Sequence, residues 1–302
     1  MDAERPSDTA MLAAIIRAAH PLIDGTPTVF YDDLALPLSG AQSETELVAA
    51  LNRLTDELSE RTDPEFGPAV ADQYRIFTLL RSRYAEDELD KAIASGMAQY
   101  VLLGAGLDSF AYRRADLNDT VAVFEVDHPN TQRWKRERLN EVGLKAPDNL
   151  TFVATDFETR TLSESLQDNG FNVNAPAFFS WLGVIQYLRP EAVFSTLDTV
   201  AKCAPGTQIV FEYTLKDSEL DDAGRRLLGL SRTLSADRGE PLFSFFTPDE
   251  LSKRLRGSGF SSVEDVGPEK SNPRYLFGRT DGLQLRVPSP IHLMNARVGS
   301  PA

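Results

Sequence analysis

The sequence predicts an α/β fold built on a doubly wound, largely parallel sheet, and three observations carry that reading. From residue 99 onward, short apolar or β-branched runs at 99 to 103, 121 to 126, 150 to 154, 177 to 182 and 208 to 213 alternate with helical or polar stretches, as in chained βαβ units. A glycine pair, Gly104 and Gly106, follows the first run, and an acid, Asp127, closes the second about twenty residues later. The first 96 residues lack this alternation and read as helical.

Taken in order, Ser7 is a plausible cap for Met11, Leu12, Ile15 and Ile16 at helical spacing, and Pro21 is expected to end that helix. Leu47, Leu51, Leu54 and Leu58 repeat the pattern over 43 to 59, and Val70, Tyr74, Phe77, Leu80, Tyr84, Leu89 and Ile93 over 68 to 95. Gly96 suits the position just past a helix end. These segments predict a helical cap over residues 1–96, followed by a cofactor-binding domain over 97–302, the two forming one structural unit. Within that second part, helices are expected at 129 to 141, 159 to 168 and 190 to 202, placed on both faces of the sheet by right-handed crossovers. Residues 217 to 236 are charged and amphipathic, and with Phe243, Phe245 and Phe246 they predict a lid insertion at about 215–246 after the fifth strand. Thr247-Pro248-Asp249-Glu250 combines a cap, a proline at the first helical position and a glutamate three residues on, so a helix ending near Gly257 follows. Runs at 262 to 266 and 275 to 278 are the candidates that complete a seven-stranded sheet, and the tail from Pro288 shows no pattern.

Composition limits what these motifs mean. The 302 residues are 42% hydrophobic, enough for a sizeable core. The formal charge of −14 repels phosphate backbones and anionic membrane surfaces, so neither nucleic acid nor membrane is an expected partner. Cys203 is the only cysteine, which rules out an internal disulfide and a cysteine metal cluster. With no apolar run long enough to span a bilayer and no secretion signal at the start, the expected location is cytoplasmic. The expected partner is a small molecule.

In a doubly wound sheet, ligands bind beyond the carboxyl ends of the strands, where the strand order reverses. Gly104, Ala105 and Gly106 fall there, and glycine lets the backbone approach a ligand that a Cβ would displace. Asp127 at the second strand end can accept hydrogen bonds from two ribose hydroxyls. Asp108 and Ser109 interrupt the dinucleotide pattern of three glycines, and an aspartate at that helix start repels a pyrophosphate. A nicotinamide cofactor is therefore disfavoured, and S-adenosylmethionine, which shares the adenosine but carries a sulfonium in place of phosphates, fits better. Asp156 after the third strand is placed to meet the adenine amino group, and Phe157 to pack on the ring.

The series Leu103-Gly104-Ala105-Gly106-Leu107-Asp108 with Tyr112-Arg113, then Phe124-Glu125-Val126-Asp127-His128-Pro129, Asp156, and Ser180-Trp181-Leu182-Gly183-Val184-Ile185-Gln186-Tyr187-Leu188 resembles the leucine carboxyl methyltransferase family, in particular its bacterial branch with polyketide O-methyltransferases. Residues 9 to 18 and Arg81-Ser82-Arg83-Tyr84 with Asp87 extend the resemblance over roughly 7 to 280. It implies an S-adenosylmethionine-dependent O-methyltransferase on a Rossmann-like seven-stranded sheet, the last strand antiparallel, under a helical lid. By position it implies that Arg81 holds the methionine carboxylate, Gly104 lines the amino-acid moiety, Asp127 meets the ribose and Asp156 the adenine. Leu182 stands where the protein-phosphatase members have a glutamate, so that donor contact is missing and a peptide carboxyl substrate is put in doubt.

Methyl transfer from a sulfonium needs in-line positioning, and a hydroxyl acceptor profits from a base where a carboxylate does not. Tyr187, Gln186, Tyr213 and Glu212 lie at strand ends expected to face the acceptor, with Tyr187 the catalytic candidate. His128 reads as a ribose or structural contact, His20 as a solvated loop residue, and Arg113-Arg114 and Lys135-Arg136 as a solvated face. The Phe243 to Phe246 group reads as core under the following helix or as the wall of an apolar substrate pocket. Two other functions share the glycine pair: an NAD(P)-dependent oxidoreductase, and a non-catalytic S-adenosylmethionine binder.

Overall fold

The computed structural model describes residues 8–62, 64–155 and 160–300. Four helices precede the first strand: α1 (Asp8–Ile23), α2 (Ala35–Ser39), α3 (Glu44–Arg61) and α4 (Phe66–Ala94). Helix α3 starts where Ser43 accepts from the Glu46 amide at 3.3 Å and buries Leu47, Leu51 and Leu58 on one stripe. Helix α1 does not stop at Pro21 as expected but runs two residues farther, to Ile23. Proline removes only its own amide bond there, and His20 pins the last turn: its Nδ1 meets Asp24 Oδ2 at 2.7 Å, and its Nε2 accepts from the Val29 amide at 3.0 Å. His20 is thus a buried structural residue and not a solvated one. Ser7, the expected cap, lies outside the described residues.

The strands are β1 (Gln99–Leu103), β2 (Ala122–Asp127), β3 (Leu150–Ala154), β4 (Phe178–Trp181), β5 (Gln208–Thr214), β6 (Phe260–Val266) and β7 (Ile291–Val298). They form one seven-stranded sheet in the order β3-β2-β1-β4-β5-β7-β6, with the last strand antiparallel to both neighbours. The first five are parallel, and the order reverses between β1 and β4. Between the strands lie α5 (Phe110–Arg113), α6 (Pro129–Glu141), α7 (Leu162–Asp168), α8 (Pro190–Ala201), α9 (Asp222–Asp237), α10 (Pro248–Ser258) and α11 (Pro268–Ser271). Thr247 caps α10 by accepting from the Glu250 amide at 3.2 Å. That helix ends at Ser258, near Gly257 as expected, and Gly259 with φ +113° forms its left-handed cap.

The seventh strand corrects the expectation at 275 to 278. Residues Asn272–Leu276 form a π-helical turn and Phe277 is 82% exposed, while the unpatterned tail supplies β7 in the interior of the sheet.

Both faces of the sheet are covered, so its strands read as continuous apolar runs. Along β1 the side chains alternate, Tyr100 and Leu102 belonging to the core cluster that holds Ile16, Phe77 and Leu80 of α1 and α4, Val101 and Leu103 to the one that holds Leu197 and Leu251 of α8 and α10. Lys135 also departs from expectation, since it is buried under β2 with Nζ 2.6 Å from Glu125 Oε2. Arg113 is likewise no surface charge: it pairs with Glu86 at 2.5 Å and lies over the Phe30 ring.

Candidate functional site

A cavity of about 1040 Å³ opens at the carboxyl ends of β1, β4 and β5 and extends under α1, α4 and α9. It lies at the reversal of strand order, where the topology leaves a crevice between diverging loops. Arg81, Gly104, Ala105, Gly106, Asp127, Leu182 and Tyr187 all line it. Asp156 and Phe157 lie outside the described residues.

Gly104 and Gly106 have φ of +66° and +50°, and a Cβ on Gly104 would stand 2.4 Å from Val184 Cγ2. The turn therefore requires glycine on two counts. Asp127 closes the turn from the second strand: Oδ2 accepts from the Gly106 amide and Oδ1 from the His128 amide, each at 2.6 Å. Burial pushes its carboxyl above the usual aspartate range, and these two amides oppose the shift. His128 caps α6, its Nδ1 accepting from the Asn130 amide at 3.3 Å, and this structural contact agrees with its expected role.

Below the turn, Arg17 of α1 reaches the same loop. Its Nη2 donates to the Leu107 carbonyl at 2.7 Å and its Nε to Asp32 at 2.9 Å. Burial would raise the Asp32 carboxyl, but Arg17, Arg113 and the Ser109 hydroxyl outweigh it and hold it below its ordinary value. The cap is thereby fastened to the glycine loop.

Arg81 projects from α4 and is held by Glu212 at the end of β5, its Nη1 lying 2.9 Å from each carboxylate oxygen. Glu212 also accepts from the Gly183 amide at 2.8 Å and from Gln186 Nε2 at 3.4 Å. Gly183 has φ +76°, and a Cβ there would lie 3.2 Å from Arg81 Nη2, so the guanidinium rests on bare backbone. Leu182 offers only an apolar side chain, as expected, but the neighbouring strand sends a carboxylate to the backbone beside it.

The four strand-end candidates divide. Tyr187, Gln186 and Glu212 line the cavity, but Tyr213 does not: its hydroxyl donates to Asp265 Oδ1 at 2.6 Å on the opposite face. Successive strand residues point to opposite faces, so Glu212 and Tyr213 cannot both face one ligand. Burial, with the Glu240 carboxylate nearby, raises the Tyr187 phenol. A phenol raised in this way is protonated at neutral pH and presents its hydroxyl as a hydrogen-bond donor to the cavity.

The phenylalanine group also divides. Phe246 is core, edge to face with Phe194, whereas Phe243 is 41% exposed, lines the cavity and carries Arg189 over its ring. Among the cavity residues that escaped the sequence reading are Tyr74, Ser231 and Glu240. Tyr74 and Ser231 share a 2.6 Å hydrogen bond between α4 and α9, and burial pushes the Tyr74 phenol up to about 12. Glu240, after α9, accepts from Thr9 Oγ1 at 2.8 Å. Tyr74 stood in the helical stripe as an ordinary apolar position, and no motif marks the other two. Among the described residues there is no cluster of metal-ligating side chains, and no helix is long and apolar enough to cross a membrane.

Comparison with known proteins follows this geometry. The family model of leucine carboxyl methyltransferase matches residues 10–201. A Bacillus subtilis (strain 168) protein named as a candidate S-adenosyl-L-methionine-dependent methyltransferase, YktD, is 34% identical over 288 residues, 91% of this chain and 93% of its own length. A protein of the same designation from Mycolicibacterium paratuberculosis (strain ATCC BAA-968 / K-10) is 30% identical over 209 residues, covering 68% of this chain and 67% of that protein. Among solved structures, a DUF574 family protein from Streptomyces avermitilis MA-4680 aligns with a TM-score of 0.60 at 13% identity, over 97% of this chain and 98% of that one. A candidate methyltransferase from Thermobifida fusca YX gives 0.54 at 15% identity, over 99% and 97%. These two share the fold.

Proposed function

The chain belongs to the leucine carboxyl methyltransferase family and is an S-adenosylmethionine-dependent methyltransferase, and on that premise we propose that it methylates an oxygen of a small molecule, a carboxylate or a hydroxyl, of the polyketide-like or other secondary-metabolite kind. The observation that carries the reading is the convergence of Arg81, Asp127 and the Gly104 turn on one cavity large enough for donor and acceptor together.

In this reading Arg81, aimed by Glu212, holds the methionine carboxylate, and the Glu212 carboxylate supplies the negative charge for the ammonium that Leu182 cannot. Gly104, Ala105 and Gly106 pass under the methionine and ribose, and Asp127 accepts from the ribose hydroxyls through the lone pairs its two amides leave free. The adenine contacts expected of Asp156 and Phe157 belong to this reading and lie outside the described residues. Tyr187 orients the acceptor. The helices up to residue 96 act as a cap on the domain of residues 97–302, and the segment at about 215–246 is a lid that excludes water from the displacement. Donor supplies the methyl group; the protein supplies alignment, which is most of what such a displacement requires.

The test is transfer from a methyl-labelled donor into a panel of carboxylic and phenolic metabolites, with the product analysed for the methylated atom. A methyl ester or methyl ether supports the reading. Label found only on nitrogen or carbon overturns the oxygen assignment, and failure to bind the demethylated donor in calorimetry overturns the donor site.

A further inference from the structure

Strand β2 ends in Asp127 and helix α6 begins at Pro129, so the carboxylate assigned to the ribose stands at the junction of strand and helix. Strand residues two apart share a face, which turns Glu125 and Asp127 toward the same side of the sheet. Helix α6 lies over that side and buries Gln132, Lys135 and Leu139. Two of these meet Glu125: Gln132 Nε2 donates to its backbone carbonyl at 2.8 Å, and Lys135 Nζ to its Oε2 at 2.6 Å. The Glu125 and Lys135 side chains are each 1% exposed. His128 and Thr131, at the start of the helix, line the cavity, whereas Glu125, Gln132 and Lys135 do not.

Stability alone is a weak reason for such a pair. Two charges taken out of water lose much of what their attraction returns, and apolar residues of the same volume often serve a fold equally well or better. The cost is visible here, since Glu125 Oε1 is buried without a hydrogen-bond partner and burial pushes the carboxyl upward against the pull of Lys135. What the ion pair provides is a fixed distance and direction. An apolar helix face can shift on a sheet at little cost, but an ammonium drawn off this carboxylate would leave two buried charges unpaired. The place so fixed is the beginning of α6. There the His128 amide donates to Asp127 Oδ1 at 2.6 Å, so a shift of the helix start reaches the carboxylate through its own hydrogen bond. On the other side the Asp127 backbone is held by the Thr155 amide, which donates to its carbonyl at 2.9 Å.

We propose that Glu125 and Lys135 are positioning residues for the donor: by locking α6 to β2 they hold the Asp127 carboxylate in the orientation that accepts the two ribose hydroxyls. The inference rests on the reading that Asp127 meets the ribose. It adds that selection for an intact ribose is set by a buried pair that touches no ligand.

Calorimetry at neutral pH with two probes tests this: the demethylated donor, and its analogue lacking both ribose hydroxyls. The wild-type protein should prefer the intact ribose by about tenfold or more, the size of a hydrogen bond to a charged group. Glu125→Leu with Lys135→Met fills the same space without charge, and it should keep the wild-type midpoint of thermal unfolding or raise it. That double variant should bind the demethylated donor about tenfold more weakly and the analogue with unchanged affinity, so that the preference falls to about twofold or less. Lys135→Met alone, in which the buried Glu125 is relieved by taking up a proton, is the second variant and should show the same fall. Equal loss of affinity for both probes would mean a general loosening of the site and overturns the inference, as does a wild-type preference retained in either variant. Absence of any ribose preference in the wild-type protein overturns the reading of Asp127 itself, and the positioning role with it.

Discussion

Gly104 is the residue at which backbone and ligand requirements coincide. An alanine there must hold a left-handed φ, at about 1 kcal/mol, and press its methyl group to 2.4 Å from Val184 Cγ2. Gly104→Ala should therefore weaken binding of demethylated donor by tenfold or more in calorimetry, roughly 1.4 kcal/mol or above. Adding Val184→Ala should recover the steric part and leave the backbone part, and full recovery would mean that φ is not the constraint. Asp127 makes a prediction about pH. Its folded carboxyl lies above the usual aspartate range because it is buried, so between the unfolded and folded values the native state binds more protons. Its ionisation then costs stability as pH rises through that window, and the relief is complete only below the unfolded value. Donor binding has the opposite sign, since the ribose hydroxyls need the carboxylate: affinity should fall as pH drops through the raised folded value. Asp127→Asn should bind about tenfold more weakly at neutral pH and lose this dependence, as measured by calorimetric titration across pH. Both residues were legible in the sequence because a turn and its acid are local, spaced by one βαβ unit. The Arg81–Glu212 pair was not, because its members stand 131 positions apart and only the closed sheet brings them together.

At the level of elements, the glycine loop depends on helix α1. Arg17 bridges the Leu107 carbonyl and the buried Asp32, and Arg17→Met would leave Asp32 with Arg113 Nε at 3.5 Å as its remaining ion pair. Breaking a buried pair from one side costs about 3–5 kcal/mol, read as a shift in the denaturation midpoint, and the loosened loop should also lose donor affinity. Arg17→Met with Asp32→Asn should recover much of the stability but little of the affinity, which separates the two effects. The pH behaviour follows from a depressed carboxyl: Asp32 stabilises the fold above the unfolded aspartate range, and that contribution disappears as pH falls through its lower folded value. The five parallel strands were legible because burial on both faces makes each a short apolar run. Strand β7 was not. It carries His292, Asn295 and Arg297 among its apolar residues, and each is satisfied by a partner distant in sequence: Asp265, Gln208 with Tyr84, and Gln208 again. The run at 275 to 278 misled for the converse reason, since its aromatic residues serve a surface turn in which Tyr275 hydrogen-bonds Asp87.

For the molecule as a whole, the question is whether the segment over the cavity is a separate lid or part of the cooperative core. Leu227 and Leu234 of α9 pack with Leu58, Val70 and Ala71 of α3 and α4. Tyr74 and Ser231 join the same helices through a hydrogen bond, and Arg61 pairs with Asp237 at 2.5 Å at their exposed end. The exposed pair adds little, so the apolar contact decides. Leu234 is 5% exposed, and Leu234→Ala should remove about 2–5 kcal/mol of packing free energy. If cap, sheet and α9 unfold together, that loss appears in full as a lowered midpoint of a single transition, followed equally by fluorescence and circular dichroism. If α9 is an independently opening lid, the global midpoint stays put, and hydrogen exchange in 222–237 accelerates alone, about thirtyfold or more for a 2 kcal/mol loss. The packing favours the first outcome, because the wall that α9 presents to the acceptor is the same leucine surface that joins it to the cap. Opening for substrate then has to come from the shorter stretch after α9, where Glu240 and Phe243 meet Thr9 and Gln186. In the wild-type chain, demethylated donor plus an acceptor from the carboxylic and phenolic panel should slow amide exchange at 238–243 more than within α9 itself, and equal slowing of both would assign the gate to the helix instead.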